Sequence, residues 1–415
     1  MTKLILATEC FPYGRGERSF ILPELVRLRQ HYDITILSHA TRQQREEGVC
    51  DGLPEGIKVL CPGRPELSGA DKIRALFRFL LDKEGRSELR EILRSGSDVR
   101  ERLYQSVAFY AQAVADEKKL CGSGVLSGRE QCIYYSFWYT YFCYSMTRVK
   151  RRFPAVRMVT RMHGVDLYHE RIPGGRQPFR HQMEEKLDAM VFACEYGADY
   201  YGTYVKAAKT DDAKMHVCRL GTERPLRQMP VGGDGCLQLL SCSNAIPLKR
   251  IPLIIDGLAQ IEDLKIHWTH IGDGEQLQEL QRYAGEKLGR KNNIEYTFAG
   301  FVRDVPAYYG NHQVDCFITT SKTEGGCPVS IQEAMSCGIP VIGTDVGGIT
   351  EMIADNGILL SADPDAGEIS AAIRKILTQK GSQLQDMKCA ACRKWQAEFD
   401  SSTVFQDMLT VLRNL

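Results

Sequence analysis

Residues 323–348 read TEGGCPVSIQEAMSCGIPVIGTDVGG. Ahead of them VDCFITTS (314–321) is a short apolar run of strand type, so SKTEGGCP is a loop at the carboxyl end of a strand. VSIQEAMS (329–336) is then a short helix, and a second apolar run, IPVIGT (339–344), follows at once. Strand, loop, helix and strand at this spacing make a parallel-sheet crossover. The helix start offers free N–H groups and the positive end of its dipole, an arrangement that suits an anion. Gly325 and Gly326 let a ligand approach the backbone closely. Glu324 precedes them, and Glu333 lies within the helix. Each carboxylate can accept two hydroxyl hydrogens, as a vicinal diol would supply. Taken alone, the stretch stays open between a phosphate-and-sugar site and a glycine-rich turn leading to a solvated helix face.

The same rhythm extends outward in both directions. LILA (4–7), DITILS (33–38), CIYYSF (132–137), VRMVT (156–160), AMVFA (189–193) and KMHVC (214–218) read as strands in the first half. LQLLSCS (237–243), IHWTHIGDG (266–274), IEYTFAG (294–300), VDCFITTS and IPVIGT read as strands in the second. Helical stretches separate them. The expectation is an α/β chain of two Rossmann-like parallel-sheet domains facing across a cleft, residues 1–223 and 236–397. The turn-rich RPLRQMPVGGDG (224–235) is the linker, and a last helix, about 398–415, packs back on the first domain. In such sheets ligands bind at the carboxyl ends of strands, so loops after strands deserve the search.

Composition narrows the function. With 415 residues the chain suits two domains. Lys plus Arg number 53 and Asp plus Glu 52, a balance that argues against binding nucleic acid through bulk charge. No apolar run reaches the length of a membrane span, and the start MTKLILATECFPYGRGE lacks signal-peptide character. The 15 cysteines, scattered in a long chain, point to free thiols in a reducing cytoplasm. Cys389 and Cys392 are the one C-x-x-C spacing and read as neighbours on a helix face, with no metal expected.

Three further stretches follow strands. In SNAIPLKRIP (243–252) the adjacent cations Lys249 and Arg250 open a helix and suit a diphosphate, against the plain reading of two surface cations. In RMHGVDLYHERIPGG (161–175), His163 stands at a strand end with Asp166 three residues on. In FPYGRGERSF (11–20), Gly14 and Gly16 precede a helix, but Ser19 takes the third glycine position of a dinucleotide fingerprint, so a dehydrogenase reading is weak.

The order Glu333-Ala-Met-Ser-Cys-Gly-Ile-Pro-Val-Ile, then Gly347-Gly348 and Glu351, resembles the signature of the retaining nucleotide-sugar glycosyltransferases of family 4, which have the two-domain GT-B fold. The resemblance is clearest from Arg157 to Glu351 and weakest from Pro62 to Leu126. It implies that Glu333 binds the ribose of the donor and Glu324 the transferred hexose. It implies that the amides of Gly326 to Val329 hold the donor's sugar and phosphate, so that Gly325, Gly326, Cys327, Pro328 and Val329 are all donor-binding. Lys249 matches the family's lysine at the leaving diphosphate. A second family cation is Asn244 here, so either one of the usual two cations is missing or Arg250 replaces it. His163 and Asp166 match the cleft segment beside the transferred sugar and acceptor. Gly14 and Gly16 match a loop facing the donor phosphates, and backbone groups at Phe301 and Val302 match the base site. The family has seven residues between its two glutamates, whereas GGCPVSIQ makes eight. Slipping a helix by one residue would turn Glu333 by about 100°. The extra residue is therefore expected in the loop, leaving Glu324 within reach of the sugar.

The expected activity is retaining hexosyl transfer from a nucleotide diphosphate sugar to an acceptor hydroxyl, with no cofactor or metal. The resemblance to bacterial surface-polysaccharide enzymes implies a lipid-linked saccharide acceptor. The rivals are a non-catalytic GT-B-like module that binds nucleotide sugars, and an epimerase or phosphorylase on the same fold. RVKRRFPAVRMVTR (148–161), six cations without an acid, and IRALFRFLL (73–81) either dock on an anionic membrane surface from the cytoplasmic side or are solvated helix faces.

Overall fold

A computed structural model describes residues 1–14, 16–96, 98–126, 131–206, 210–224, 235–379 and 382–415. Residues 225–234 of the expected linker lie outside the described residues. The chain divides into two compact units, Met1–Cys218 with Phe405–Leu415, and Arg219–Val404.

The first unit holds seven parallel strands: β1 (Thr2–Thr8), β2 (Tyr32–Ser38), β3 (Lys58–Leu60), β4 (Cys132–Ser136), β5 (Val156–Met162), β6 (Ala189–Phe192) and β7 (Met215–Val217). Their order is β3-β2-β1-β4-β5-β6-β7. Ile5 pairs with Thr35 on one side and Tyr134 on the other. Leu4, Ile5 and Leu6 are all buried, as expected of a central strand covered on both faces. Between β3 and β4 run three helices, Gly69–Leu81, Lys83–Ser95 and Val99–Gly122. Ser68 and Asp71 form a capping box at the first, and Asp82 caps the second.

The second unit holds β8 (Leu237–Cys242), β9 (Ile266–Ile271), β10 (Ile294–Gly300), β11 (Cys316–Thr319), β12 (Val341–Thr344) and β13 (Gly357–Leu360), ordered β10-β9-β8-β11-β12-β13 and parallel throughout. Trp268 and Leu239, paired across β9 and β8, are buried among Ile254, Ile255 and Ile373 from the covering helices.

In each unit the strand order reverses next to the first strand: between β1 and β4, and between β8 and β11. Helices leaving the two strands at such a point go to opposite faces, which opens a crevice at the carboxyl edge.

Most cations of the basic run 148–161 are ion-paired within the unit. Arg148 meets Glu117 at 2.8 Å and Asp82 at 3.0 Å. Lys150 and Arg157 both pair with Asp188, at 2.6 and 3.0 Å. Arg151 pairs with Glu84, and Arg161, fully buried, lies 2.7 Å from Glu24. Arg148, Lys150 and Arg161 are thereby neutralised inside the unit, whereas Arg151, Arg152 and Arg157 stay exposed. Among the described residues no helix is long and apolar enough to cross a membrane. All fifteen cysteines are free thiols.

Candidate functional site

At the β8/β11 reversal the loops after both strands meet. Pro247–Lys249 forms a single turn, Arg250 adopts a left-handed conformation (φ 47°), and the helix Ile251–Ala259 begins. Thr320 Oγ1 donates to Lys249 O at 3.0 Å and to Arg250 O at 3.1 Å, and Lys322 N donates to Leu248 O at 2.8 Å. This backbone stitching brings the Lys249 ammonium against Glu324 Oε1, to which Ser321 Oγ also donates at 2.7 Å. Both charged side chains are largely, but not fully, buried. A lysine and a carboxylate, each still partly open to solvent, therefore stand paired at the carboxyl edge of the sheet.

Arg250 is engaged within the protein itself. Its Nε donates to Thr320 O at 2.8 Å, and its Nη2 to Ser321 O at 3.0 Å and Ala362 O at 2.9 Å. Its Nη1 donates to Asp363 Oδ1 at 2.7 Å. Four of its five N–H donors are spent tying three loops together. It shapes the site through these bonds.

Behind Glu324 lies the second glycine pair. Gly347 has φ +51°, and a Cβ there would sit 2.0 Å from Glu324 O. A Cβ on Gly348 would sit 2.4 Å from Gly326 O and 2.7 Å from Cys327 N. Only glycines let this turn lie flat against the loop Glu324–Cys327, so the loop's path is set from behind. Gln332, on the helix Val329–Ser336, donates through Nε2 to Cys327 O at 3.0 Å. Gly325, Gly326, Cys327 and Pro328 thus form a braced lead into Val329 at the first turn of that helix.

Glu333 is half-buried on the same helix. Burial, and secondarily Asp304, pushes its carboxyl up to about 8. Asp304 caps the helix Val305–Asn311 after β10, so the loop carrying Phe301 and Val302 is close enough for its charge to act on Glu333. Phe301 is 48% exposed.

In the first unit the candidates gather at the β1/β4 reversal and the adjoining end of β5. Both ring nitrogens of His163 are buried without a hydrogen-bond partner among the described residues. The ring packs on Trp138 (4.3 Å between centroids) and Phe137 (5.1 Å). Burial, and then the Arg161 charge, holds its pKa well below the usual imidazole value, so the ring is neutral at neutral pH. Asp166 does not reach that ring. Its Oδ1 accepts from His163 N at 2.6 Å and its Oδ2 from Tyr139 N at 2.7 Å, so it positions the histidine through the backbone. Burial raises its carboxyl to about 7, against those two bonds. Asp166→Asn offers an N–H group where an acceptor is needed. At pH 8 we expect it to cost about 1–3 kcal/mol and lower Tm by several degrees. An unchanged melting curve would show that the two backbone bonds carry no weight.

Gly14 (φ +67°) and Gly16 lie in the loop after β1. The residue that organises this loop, Glu17, was missed in the sequence. Its Oε2 accepts from Cys10 N and Phe11 N, both at 2.6 Å, and its Oε1 from Glu9 N at 3.1 Å and from Trp138 Nε1. Glu17 therefore links the glycine loop to the indole that supports His163. The available signal was an acid directly after the glycines, in GRGE.

Among the described residues no three His, Cys, Asp or Glu side chains cluster as a metal site. Two cavities, of about 460 Å³ around Gln238, His267 and Tyr308 and about 430 Å³ around Arg64, Tyr104 and Ile172, are lined by none of the candidate residues.

Residues 238–379, which lie in the second unit, match the family model described as glycosyl transferases group 1. The O-antigen biosynthesis glycosyltransferase WbnH of Escherichia coli is 32% identical over 164 residues, 37% of this chain and 45% of the relative. The putative colanic acid biosynthesis glycosyltransferase WcaL of Salmonella typhimurium is 21% identical over 276 residues, 62% of this chain and 64% of the relative. The chain thus spans less than half the length of the O-antigen relative it matches. Anabaena HepE in complex with UDP and glucose superposes with TM-score 0.70 at 14% identity, over 100% of both chains. Sucrose-phosphate synthase from Thermosynechococcus elongatus gives 0.71 at 14%, over 100% of this chain and 99% of its own. These neighbours are GT-B glycosyltransferases, and the fold of this chain is GT-B.

Proposed function

We propose, from the premise of a group 1 glycosyl transferase domain in residues 238–379, that this protein is a retaining glycosyltransferase of surface-polysaccharide assembly. It moves a hexose from a nucleotide diphosphate donor to an acceptor hydroxyl, on a lipid-linked saccharide. The observation that carries the reading is the Lys249–Glu324 pair at the β8/β11 reversal, held at the mouth of the helix Val329–Ser336. As the bond from the anomeric carbon to the diphosphate breaks, negative charge grows on the leaving oxygen. Lys249 and the backbone N–H groups of Gly326, Cys327 and Val329 stabilise that charge without a metal. Glu324, released from Lys249 by the incoming phosphate, accepts from the hexose hydroxyls, and Glu333 from the ribose. His163, neutral and with both ring nitrogens unpartnered, serves the acceptor side.

A second reading has one observation in its favour. With Arg250 committed to carbonyl oxygens and Asn244 in the other cation position, Lys249 stands as the single cation of the usual two. A non-catalytic module that binds nucleotide sugars would tolerate that. The experiment is a thermal-shift screen of UDP-, GDP- and ADP-sugars, followed by assay of nucleoside diphosphate release. A donor at 100 times its Kd should stabilise the protein by about 2.7 kcal/mol. Stabilisation with acceptor-dependent release supports the transferase. Stabilisation without any release supports the module, and no shift with any donor removes both.

A further inference from the structure

The helices Gly69–Leu81 and Lys83–Ser95 carry their charges in an unusual arrangement. Between Asp71 and Glu91 the acids face inward or sit in capping bonds. Asp71 caps Ser68 and pairs with Arg74. Asp82 and Glu84 pair with Arg148, Glu84 also with Arg151, and Glu88 and Glu91 with Arg176. The cations Lys72, Arg78, Lys83, Arg86, Arg90 and Arg94 are exposed. The outward face is therefore positive in a chain whose formal net charge is only +1.

The exposed side of the first helix is apolar where a solvated helix is polar. Ile73 is 60% exposed, Phe77 64% and Leu81 77%. They stand at i, i+4 and i+8, one stripe along the helix. Leu76 and Leu80 widen it, and Leu93 of the next helix is 59% exposed. Of the first helix only Ala75 and Phe79 are buried. A stripe of this size on one helix marks a docking surface.

We propose that this two-helix face seats the protein on an anionic lipid bilayer, with the Ile73–Phe77–Leu81 stripe in the headgroup–acyl boundary and the cations at the lipid phosphates. An apolar stripe flanked by cations is the pattern of an interfacial helix. Nucleic acid would satisfy the cations and leave the stripe in water. A second copy would cover the stripe but bring like charges together. An anionic bilayer answers both features, and the inference stands independently of donor or acceptor identity.

The test is co-sedimentation of the full chain with vesicles of phosphatidylcholine alone or with phosphatidylglycerol. Recovery should require phosphatidylglycerol and fall as salt rises. Neutralising Arg78, Arg90 and Arg94 to Gln should weaken binding roughly 100-fold, at about fivefold per cation. Replacing Ile73, Phe77 and Leu81 by Ser should abolish recovery at any salt. These positions are exposed, so melting temperatures should match the parent, and Phe77→Ser alone replaces any triple variant that melts early. Equal recovery on both vesicle types, or parent-like binding by the variants, overturns the proposal. So does a concentration-dependent dimer that the Ser variant dissolves, which would make the occupant a second copy.

Discussion

Lys249→Ala is expected to lower turnover by about 10²- to 10³-fold while leaving the fold intact. In the transferase reading its ammonium is the principal side-chain charge at the leaving diphosphate, since Arg250 is spent on Thr320, Ser321 and Ala362 carbonyls. Losing one preorganised charged contact to a developing oxyanion costs on the order of 2.7–4 kcal/mol in the barrier. The cost to stability is smaller. Thr320 Oγ1 holds the backbone carbonyls of Lys249 and Arg250 whatever the side chain at 249. Glu324 keeps the Ser321 hydroxyl at 2.7 Å and remains partly open to water, so it is not left as an unpaired buried charge. The measurement is kcat at saturating donor together with Tm. A folded variant that turns over at the parent rate would remove Lys249 from the leaving-group role. Glu324→Gln keeps the Ser321 contact but not the ion pair, and should lower transfer as well.

The central strands were legible because they are buried on both faces and so appear as unbroken apolar runs. LILA and DITILS became β1 and β2, and IHWTHI became β9. Of the four edge strands, KMHVC and IEYTFAG gave β7 and β10, whereas β3, three residues of KVL, and β13, GILL, were not legible. An edge strand needs few apolar positions, and Lys58 and Leu359 are exposed. Lys249 and Glu324 could be found because each follows a strand, and the strand order brings their loops together. The destinations of other side chains could not. Arg250 reads as a diphosphate cation because its partners are carbonyl oxygens 70 and more residues away, and carbonyls leave no mark in a sequence. The run from Arg148 to Arg161 reads as a basic patch for a related reason. Its neutralising acids come from Glu24, Asp82, Glu84, Glu117 and Asp188, dispersed along the chain. The inward turn of those acids is also what leaves the helices at 69–95 positive outside, a property of the fold that local charge counting does not contain.

Glu333→Gln is expected to weaken binding of the bare nucleotide by about 10- to 100-fold at pH 8.5, and by much less at pH 6. In the ligand-free protein, burial and Asp304 hold the Glu333 carboxyl protonated up to about pH 8. A ribose diol donates two hydrogen bonds, and a carboxylate accepts both, whereas the protonated acid or an amide accepts fewer through its one free oxygen. Hydrogen bonds to a charged acceptor contribute about 1.5–3 kcal/mol, which sets the size of the loss. Affinity of the parent should therefore rise with pH through about 8, while that of the Gln variant stays flat. Stability should move the other way. A carboxyl whose folded pKa lies above its unfolded value leaves the fold unpenalised below the unfolded pKa. It costs the fold increasingly as pH climbs toward 8, and the cost is constant above that. The Gln variant escapes this cost, so its Tm advantage over the parent should grow from pH 5 to pH 8. Calorimetric titration with the nucleoside diphosphate and melting curves across that range read both trends. Parallel pH dependence in parent and variant would mean that Glu333 neither titrates in this window nor meets the ribose.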